Sequence, residues 1–303
     1  MIKTNNHFRV LSVAYLLALL AAIATIFIAS SQYPQQHITI LALGNFSALC
    51  VVFAFSFATN CSNCYDPYWS VAPIFISIYW LVVAPTITPR HLYITSLVVA
   101  WGVRLTYNCL SKWGGLDDED WRYSQWRKEW GALYWAGSFL VIHVISTLCI
   151  FLGCLPMEYI FKNRDGNSIL DILASIVTIS SIITEAVSDS QMKQFRKSKS
   201  GKTSPPGLWQ YSRHPNYFGE VFFWVGLYLF GVSSNNMSST LGKLGCGHGS
   251  NWMIIGPVLM FSLFNGGSIP LIEKYMVSRK PSYAEYQKSV SSFFPWFPSK
   301  QTK

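Results

Sequence analysis

Apolar residues in this chain fall in long runs separated by short polar stretches. Eight of these runs approach the ~20 residues an α-helix needs to cross a hydrocarbon core. They are Phe8–Ser30, Ile38–Ala58, Ser70–Ile87, Leu92–Leu110, Leu133–Leu155, Ile169–Val187, Asn216–Val232 and Met253–Ile269. The pattern predicts an all-α fold: a polytopic transmembrane helical bundle of about eight spans. Pro73 falls inside the third run, which ends near Pro85.

Composition agrees with that reading, since 51% of the 303 residues are hydrophobic and 12% are charged. Soluble domains carry nearer to ~25% charged residues. The net charge of +9 is distributed unevenly. With the N-terminus placed in the cytosol, eighteen of the 23 Lys and Arg fall in cytosolic segments and four on the opposite side. Arg104 lies within a span. Such a bias orients membrane proteins with their basic loops in the cytosol, so the excess charge is assigned to topology and not to nucleic acid. Both termini are then cytosolic. The first run follows Lys3 and Arg9 and is longer than the ~7–15 apolar residues of a signal peptide. It is expected to be a retained helix.

Cys61 and Cys64 form a lone C-x-x-C with neither a second pair nor a nearby histidine pair. Zinc sites need more ligands, so no metal is expected, and these cysteines are read as incidental small residues in the reducing cytosol. The remaining histidines show no ligand spacing. G-x-G-x-x-G, P-loop and G-x-S-x-G signatures are missing from the sequence.

The chemistry concentrates in Gly207–Glu220, which reads GLWQYSRHPNYFGE. Pro215 suits the first turn of a helix. Arg213 and His214 would then flank a helix N-terminus, where free N–H groups and the helix dipole favour phosphate or carboxylate. Asn216 and Glu220 are four apart and share a face, which Trp224 continues. A carboxylate just inside a membrane helix is costly unless paired or wet, which marks Glu220 as a candidate. Arg104 either snorkels to the headgroups or reaches a bound phosphate, Asp120 or Glu220. Glu185 and Asp189 share a face at the end of the sixth run, followed by Gln191. Asp117–Asp120 reads as a solvated loop in which Asp120, beside Trp121 and Arg122, is the site candidate. In Tyr65–Ser70, two phenols and Asp66 offer proton-transfer groups, or else Asp66-Pro67 caps a helix. Phe293, Phe294, Trp296 and Phe297 form an expected interfacial belt.

The Gly207–Glu220 stretch strongly resembles the signature of membrane proteins related to the C-terminal domain of steroid 5-alpha-reductase. DPYWS (Asp66–Ser70), WGVRL (Trp101–Leu105), Asp120–Arg127, Glu185–Phe195, SIPLIE (Ser268–Glu273) and Tyr283–Pro298 follow in that family's order. The resemblance covers residues 61–303 as one membrane domain, and residues 1–60 contribute N-terminal spans with little signature. It implies an enzyme that binds NADPH in a cytosol-facing cavity and reduces a carbon–carbon double bond in a hydrophobic, lipid or steroid-like substrate. Arg213, His214, Asn216, Tyr217, Glu220 and Glu273 would hold the cofactor, with Arg104, Asp120, Arg122 and Asp189 as further candidates. Tyr68 and Asp66 would polarise and protonate the substrate.

The Arg-His-Pro-x-Tyr-x-Gly core (Arg213–Gly219) also looks like that of S-adenosylmethionine-dependent membrane methyltransferases acting on prenylcysteine or phospholipid. Arginine and lysine near the site, including Arg122, Arg127, Lys197 and Arg213, suit the phosphates of NADPH better. A non-catalytic lipid-binding protein is the third alternative. The expected partners are the lipid bilayer and a hydrophobic small molecule, and the expected location is the endoplasmic reticulum. Asn-x-Ser sequons stand at Asn45, Asn60 and Asn236, and the topology leaves only Asn236 in the lumen.

Overall fold

Hydrocarbon offers no partner to a peptide N–H or C=O, so an apolar run in a membrane closes its backbone bonds within a helix. The computed structural model follows that rule. It describes residues 6–166, 168–198, 203–235 and 251–299, which are helical with no strand among them. Asn236, Lys199, Lys202, Lys243, Cys246, His248 and the terminal lysines lie outside the described residues. Among the described residues, seven helices are long and apolar enough to cross a membrane.

The chain divides into two compact units, Met1–Glu158 and Tyr159–Lys303. In the first, α1 (Asn6–Gln32), α2 (His37–Ala58), α3 (Tyr68–Val83) and α4 (Pro89–Leu110) are followed by α5 (Trp121–Trp130). Next come α6 (Tyr134–Gly137), a π-helical segment Ser138–Ile145, α7 (Ser146–Cys154) and α8 (Pro156–Lys162), within which the boundary between the units falls. α3 stops at Val83 because Ala84, preceding Pro85, is driven into extended backbone (φ −60°, ψ 133°). Pro73 is accommodated inside α3.

The fourth expected span forms a helix but is not among the seven apolar ones. α4 has 22 residues, which at ~1.5 Å per residue reach about 33 Å. Its length would suffice. Arg90, His91, Arg104 and Asn108 lower its apolarity, and α4 packs against α3. Contact there is close: a Cβ on Gly102 would lie 2.6 Å from the Ser70 carbonyl.

In the first unit Ala48, Leu49 and Val52 of α2 pack with Tyr65, Tyr68 and Ala72. His143 is buried in this unit. Its Nδ1 donates to Ser138 O at 3.0 Å, and its Nε2 lies 3.2 Å from Ser56 Oγ. Leu16, Leu20, Phe27 and Ile28 of α1 are exposed, a surface that suits lipid.

The second unit contains α9 (Ser168–Ser198), α10 (Pro215–Asn235), α11 (Ile255–Leu263), a π-helical turn Phe264–Ser268, α12 (Ile269–Arg279) and α13 (Tyr283–Ser289). α9 and α10 form its main helix pair. Glycines permit their approach, since a Cβ on Gly226 would lie 2.1 Å from Thr178 Oγ1 and one on Gly219 2.6 Å from Glu185 Cγ. α9 runs eleven residues past the expected end of the sixth span and brings Asp189 and Gln191 into the helix. The eighth span likewise continues beyond Ile269, so Glu273 sits within α12.

Candidate functional site

α10 begins at Pro215, as its missing N–H favours. Directly before it, Tyr211–His214 is stitched to the C-terminal segment. Arg213 N donates to Ser291 O at 2.8 Å, Ser212 Oγ to Phe293 O at 2.8 Å, and Trp296 N to Tyr211 O at 2.9 Å. The Tyr286 hydroxyl donates to Trp209 O, whose indole N–H donates to Ser188 O at 3.0 Å. Gly207, at φ +81°, lets the chain turn against Gln191, whose Oε1 accepts from Leu208 N at 3.0 Å.

Arg213 occupies the centre of this web. Nε and Nη2 donate to the two oxygens of Glu273 at 2.6 and 3.1 Å, while Nη1 donates to Gln287 O and Val290 O at 2.7 and 2.5 Å. Glu273 also meets His214 Nε2 at 3.1 Å and accepts from Gln287 Nε2 at 2.9 Å. The His214 ring stacks on Tyr217 (5.6 Å, 8°), which stacks on Phe264 (4.5 Å, 19°). One turn into α10, buried Glu220 accepts from Trp224 Nε1 at 3.2 Å. Among the described residues, Asn216 Oδ1 is buried with no hydrogen-bond partner. Asp189 is half-buried on α9, and Glu185 is buried one turn before it. Among the sequence candidates, then, Arg213, His214, Tyr217 and Glu273 form one connected group, and Asn216 and Glu220 continue along the same helix. Gln287 and Tyr286 are parts of the web that sequence reasoning missed. No motif marks them, because they meet Glu273 and Trp209 only through the return of the tail.

The remaining candidates lie in the first unit. Asp66 and Tyr68 are two residues apart but have different partners. Asp66 Oδ1 accepts from the Tyr123 hydroxyl of α5 at 2.6 Å. Pro67, not Asp66, is the N-cap of α3, and it makes no side-chain cap bond. The Tyr68 hydroxyl donates to Asn45 Oδ1 at 2.6 Å. Asp120 caps α5, accepting from Arg122 N at 2.9 Å, and its two oxygens also take Arg122 Nε and Nη2 at 2.8 and 3.1 Å. These two candidates therefore serve each other and the helix start. Glu119 holds Arg127 at 2.9 Å and accepts from Ser62 N at 3.0 Å. Arg104 sits on α4, in the same unit as Asp120.

Tyr68 also lines a cavity of about 420 Å³ between α1, α2 and α3. Its walls include Leu19, Ile26, Gly44, Ala72 and Phe75, with Tyr15, Asn45 and Tyr79 as polar additions. Exposed Ile23, Phe75 and Val82 line the same cavity. It is a slot with apolar walls and a phenol–amide pair inside, a shape suited to a long apolar ligand bearing one polar group. Among the described residues, no three of His, Cys, Asp and Glu gather as a metal site.

These features define an all-helical integral membrane protein with polar clusters at its helix ends and loops. The chain belongs to the family described as "Protein of unknown function (DUF1295)", which it matches over residues 52–290. It is similar to the "Uncharacterized protein C594.04c" of Schizosaccharomyces pombe, with 27% identity over 274 residues, covering 81% of this chain and 76% of the relative. No solved structure matches it.

Proposed function

We propose that this protein is an NADPH-dependent membrane reductase of a carbon–carbon double bond in a hydrophobic lipid or steroid-like substrate. The cavity carries the reading: a phenol, Tyr68, stands in an apolar slot between α1, α2 and α3. The signature-like stretch at the start of α10 supports it further. Rotation of the Tyr68 O–H from Asn45 Oδ1 towards a substrate carbonyl would let it stabilise developing enolate charge. Asp66, hydrogen-bonded to Tyr123, is the group that supplies or relays a proton.

The cofactor would supply the hydride. Asn216 fits a role in holding it, since its buried, unpartnered Oδ1 needs a donor such as a ribose hydroxyl or carboxamide N–H. The Tyr217 ring, Glu220 and His214 adjoin it on the same helix start. Arg213 and Glu273 would shape this end of α10 and not grip the phosphates, because their donors and acceptors are engaged with each other and with the tail. Phosphate charge would fall to the exposed Lys193, Arg196 and Lys197 at the end of α9. The basic bias places this end and both termini in the cytosol if α4 is counted as a crossing, and the endoplasmic reticulum is the proposed membrane.

The engagement of Arg213 also favours a second reading, a membrane methyltransferase. S-adenosylmethionine presents no phosphate, and its adenosine and amino groups are donors that Asn216 Oδ1 would accept.

The deciding experiment measures thermal stability of the detergent-purified protein with NADPH, NADH and S-adenosylmethionine separately. A ligand selective for the folded state adds ~2.7 kcal/mol at one hundred times its dissociation constant. The expected result is stabilisation by NADPH that is lost in a folded Asn216→Ala variant. Stabilisation by S-adenosylmethionine alone would replace the reductase with the methyltransferase. A response to none of the three would leave lipid binding without turnover.

A further inference from the structure

Cys61 and Cys64 are fully buried at the turn between α2 and α3. Asn60, at φ +52°, reverses the chain, and Cys61 N returns to Ser56 O at 2.9 Å. Cys64 N then donates to Cys61 O at 3.4 Å, closing a turn of the 3-10 type. Such an i to i+3 turn keeps the two Cα atoms within about 7 Å, overlapping the ~4.4–6.8 Å that a disulfide spans. Thr59 Oγ1 stands 3.6 Å from Cys64 Sγ. The turn thus holds the two cysteines at its opposite ends, within the reach of a bond between them. Cys50, Cys109 and Cys149, by comparison, sit within helices α2, α4 and α7.

We propose that Cys61 and Cys64 form a reversible dithiol–disulfide couple that exchanges with small-molecule disulfides of the glutathione type. One thiol loses its proton, and its thiolate attacks the small disulfide, forming a mixed disulfide and releasing one thiolate. The second cysteine, deprotonated in turn, displaces the remaining thiolate and closes the Cys61–Cys64 bond. The chain gives up two electrons and two protons, and the small disulfide becomes two thiols. Burial makes exchange depend on local opening of the turn. In a reducing compartment the pair rests as thiols, and cytosolic pairs of this kind act as redox sensors.

The position gives the couple a target. The Cys64 carbonyl accepts from the Tyr15 hydroxyl at 3.2 Å, and Tyr15 and Tyr68 both line the apolar cavity. Asp66 follows Cys64 by two residues. Closing the bond ties the end of α2 to the turn that carries Asp66 and Tyr68. The chemistry stands whether or not the protein is a reductase, because its readout is the thiols.

The test equilibrates the intact, detergent-purified chain with mixtures of reduced and oxidised glutathione, then quenches in acid. Thiols that survive are blocked with one alkylating reagent. Disulfides are then reduced and labelled with a second reagent of different mass before peptide mapping. The expected outcome is that the second label appears on Cys61 and Cys64 together, in a proportion that follows the glutathione ratio and reverses on reduction. The intact chain should lose two hydrogens in step, and Cys61→Ser or Cys64→Ser should abolish that loss. Second label absent from both residues at every ratio, or found on only one as a stable glutathione adduct, overturns the couple. Mapping in the unsubstituted protein decides the matter even if the serine variants do not fold.

Discussion

Arg213 and Glu273 are joined side by side, Nε to Oε1 at 2.6 Å and Nη2 to Oε2 at 3.1 Å, with side chains 9% and 12% exposed. A bidentate pair with so little water around it is strongly coupled. Removing one partner strands the other charge, at a typical cost of ~3–5 kcal/mol. Arg213→Ala should therefore lower the thermal midpoint steeply and free the tail to proteolysis after α13. Arg213→Lys should not rescue it, since an ammonium cannot serve Glu273 and the carbonyls of Gln287 and Val290 in one plane. A thermal melt alongside limited proteolysis checks both. An Arg213→Ala variant as stable as the parent would remove this pair from the account of the fold.

Tyr68→Phe deletes the one hydroxyl bonded to Asn45 Oδ1 while keeping the ring that packs with α2. If that hydroxyl polarises a substrate carbonyl, kcat should fall by about 10²–10³-fold, the usual effect of losing one donor to a developing oxyanion. Stability should fall much less, by roughly 1 kcal/mol. Turnover of a lipid enone by the variant at the parent rate would take Tyr68 out of the chemistry.

Gly44→Leu tests the cavity itself. A Cβ at Gly44 would lie 2.7 Å from Ile26 Cγ1, so a leucine must push into the slot or part α1 from α2. Binding of a hydrophobic ligand, read by equilibrium dialysis in detergent, should weaken at least tenfold, with NADPH stabilisation unchanged. Unaltered affinity would place the ligand elsewhere.

The tail has an alkaline limit. Burial, followed by the negative charge of Glu273, pushes the Tyr283 phenol up to about 12. The folded state then holds this proton more tightly than the unfolded chain, whose phenol titrates near ~10. The stabilisation is complete below ~10 and is lost as pH rises towards 12. Tyr283→Phe should flatten the fall in thermal midpoint over that interval. An identical alkaline slope in the variant would assign the loss to other groups.

Glycosylation reads the topology. With both termini cytosolic, Asn236 is the sequon that meets the lumenal enzyme, while Asn45 lies in α2 and Asn60 in the C-x-x-C turn. Expression in a eukaryotic cell should yield one glycan, removed by endoglycosidase and abolished by Asn236→Gln. Modification at Asn60 instead would invert the topology, and modification at both sites would put α4 outside the count of crossings.

Much of the helical plan was legible because it follows from local requirements. An apolar run of bilayer length has to be a helix, so α1, α2, α9 and α10 appear close to where hydropathy puts them. Pro215 starts α10, and Pro85 ends α3 through the residue before it. The fourth run, read as a span, does form the helix α4, but Arg90, His91, Arg104 and Asn108 keep it out of the helices apolar enough to cross a membrane. The site was legible in part. Glu220 stands out because charge near hydrocarbon is expensive, and Arg213 and His214 because they flank the start of a helix, but neither argument says which partners these groups take.

The sequence by itself determined the class of protein, the helix positions and the polar residues requiring explanation, since each depends on neighbours within a few turns. Only the tertiary structure decided the partners. It gave Glu273 to Arg213 and His214, sixty and fifty-nine residues away, and Tyr123 rather than Tyr68 to Asp66. It paired Asp120 with Arg122 at the start of α5. Hydrogen bonds act over about 3 Å, so their pairing is set by which segments packing brings together, and sequence spacing does not record that.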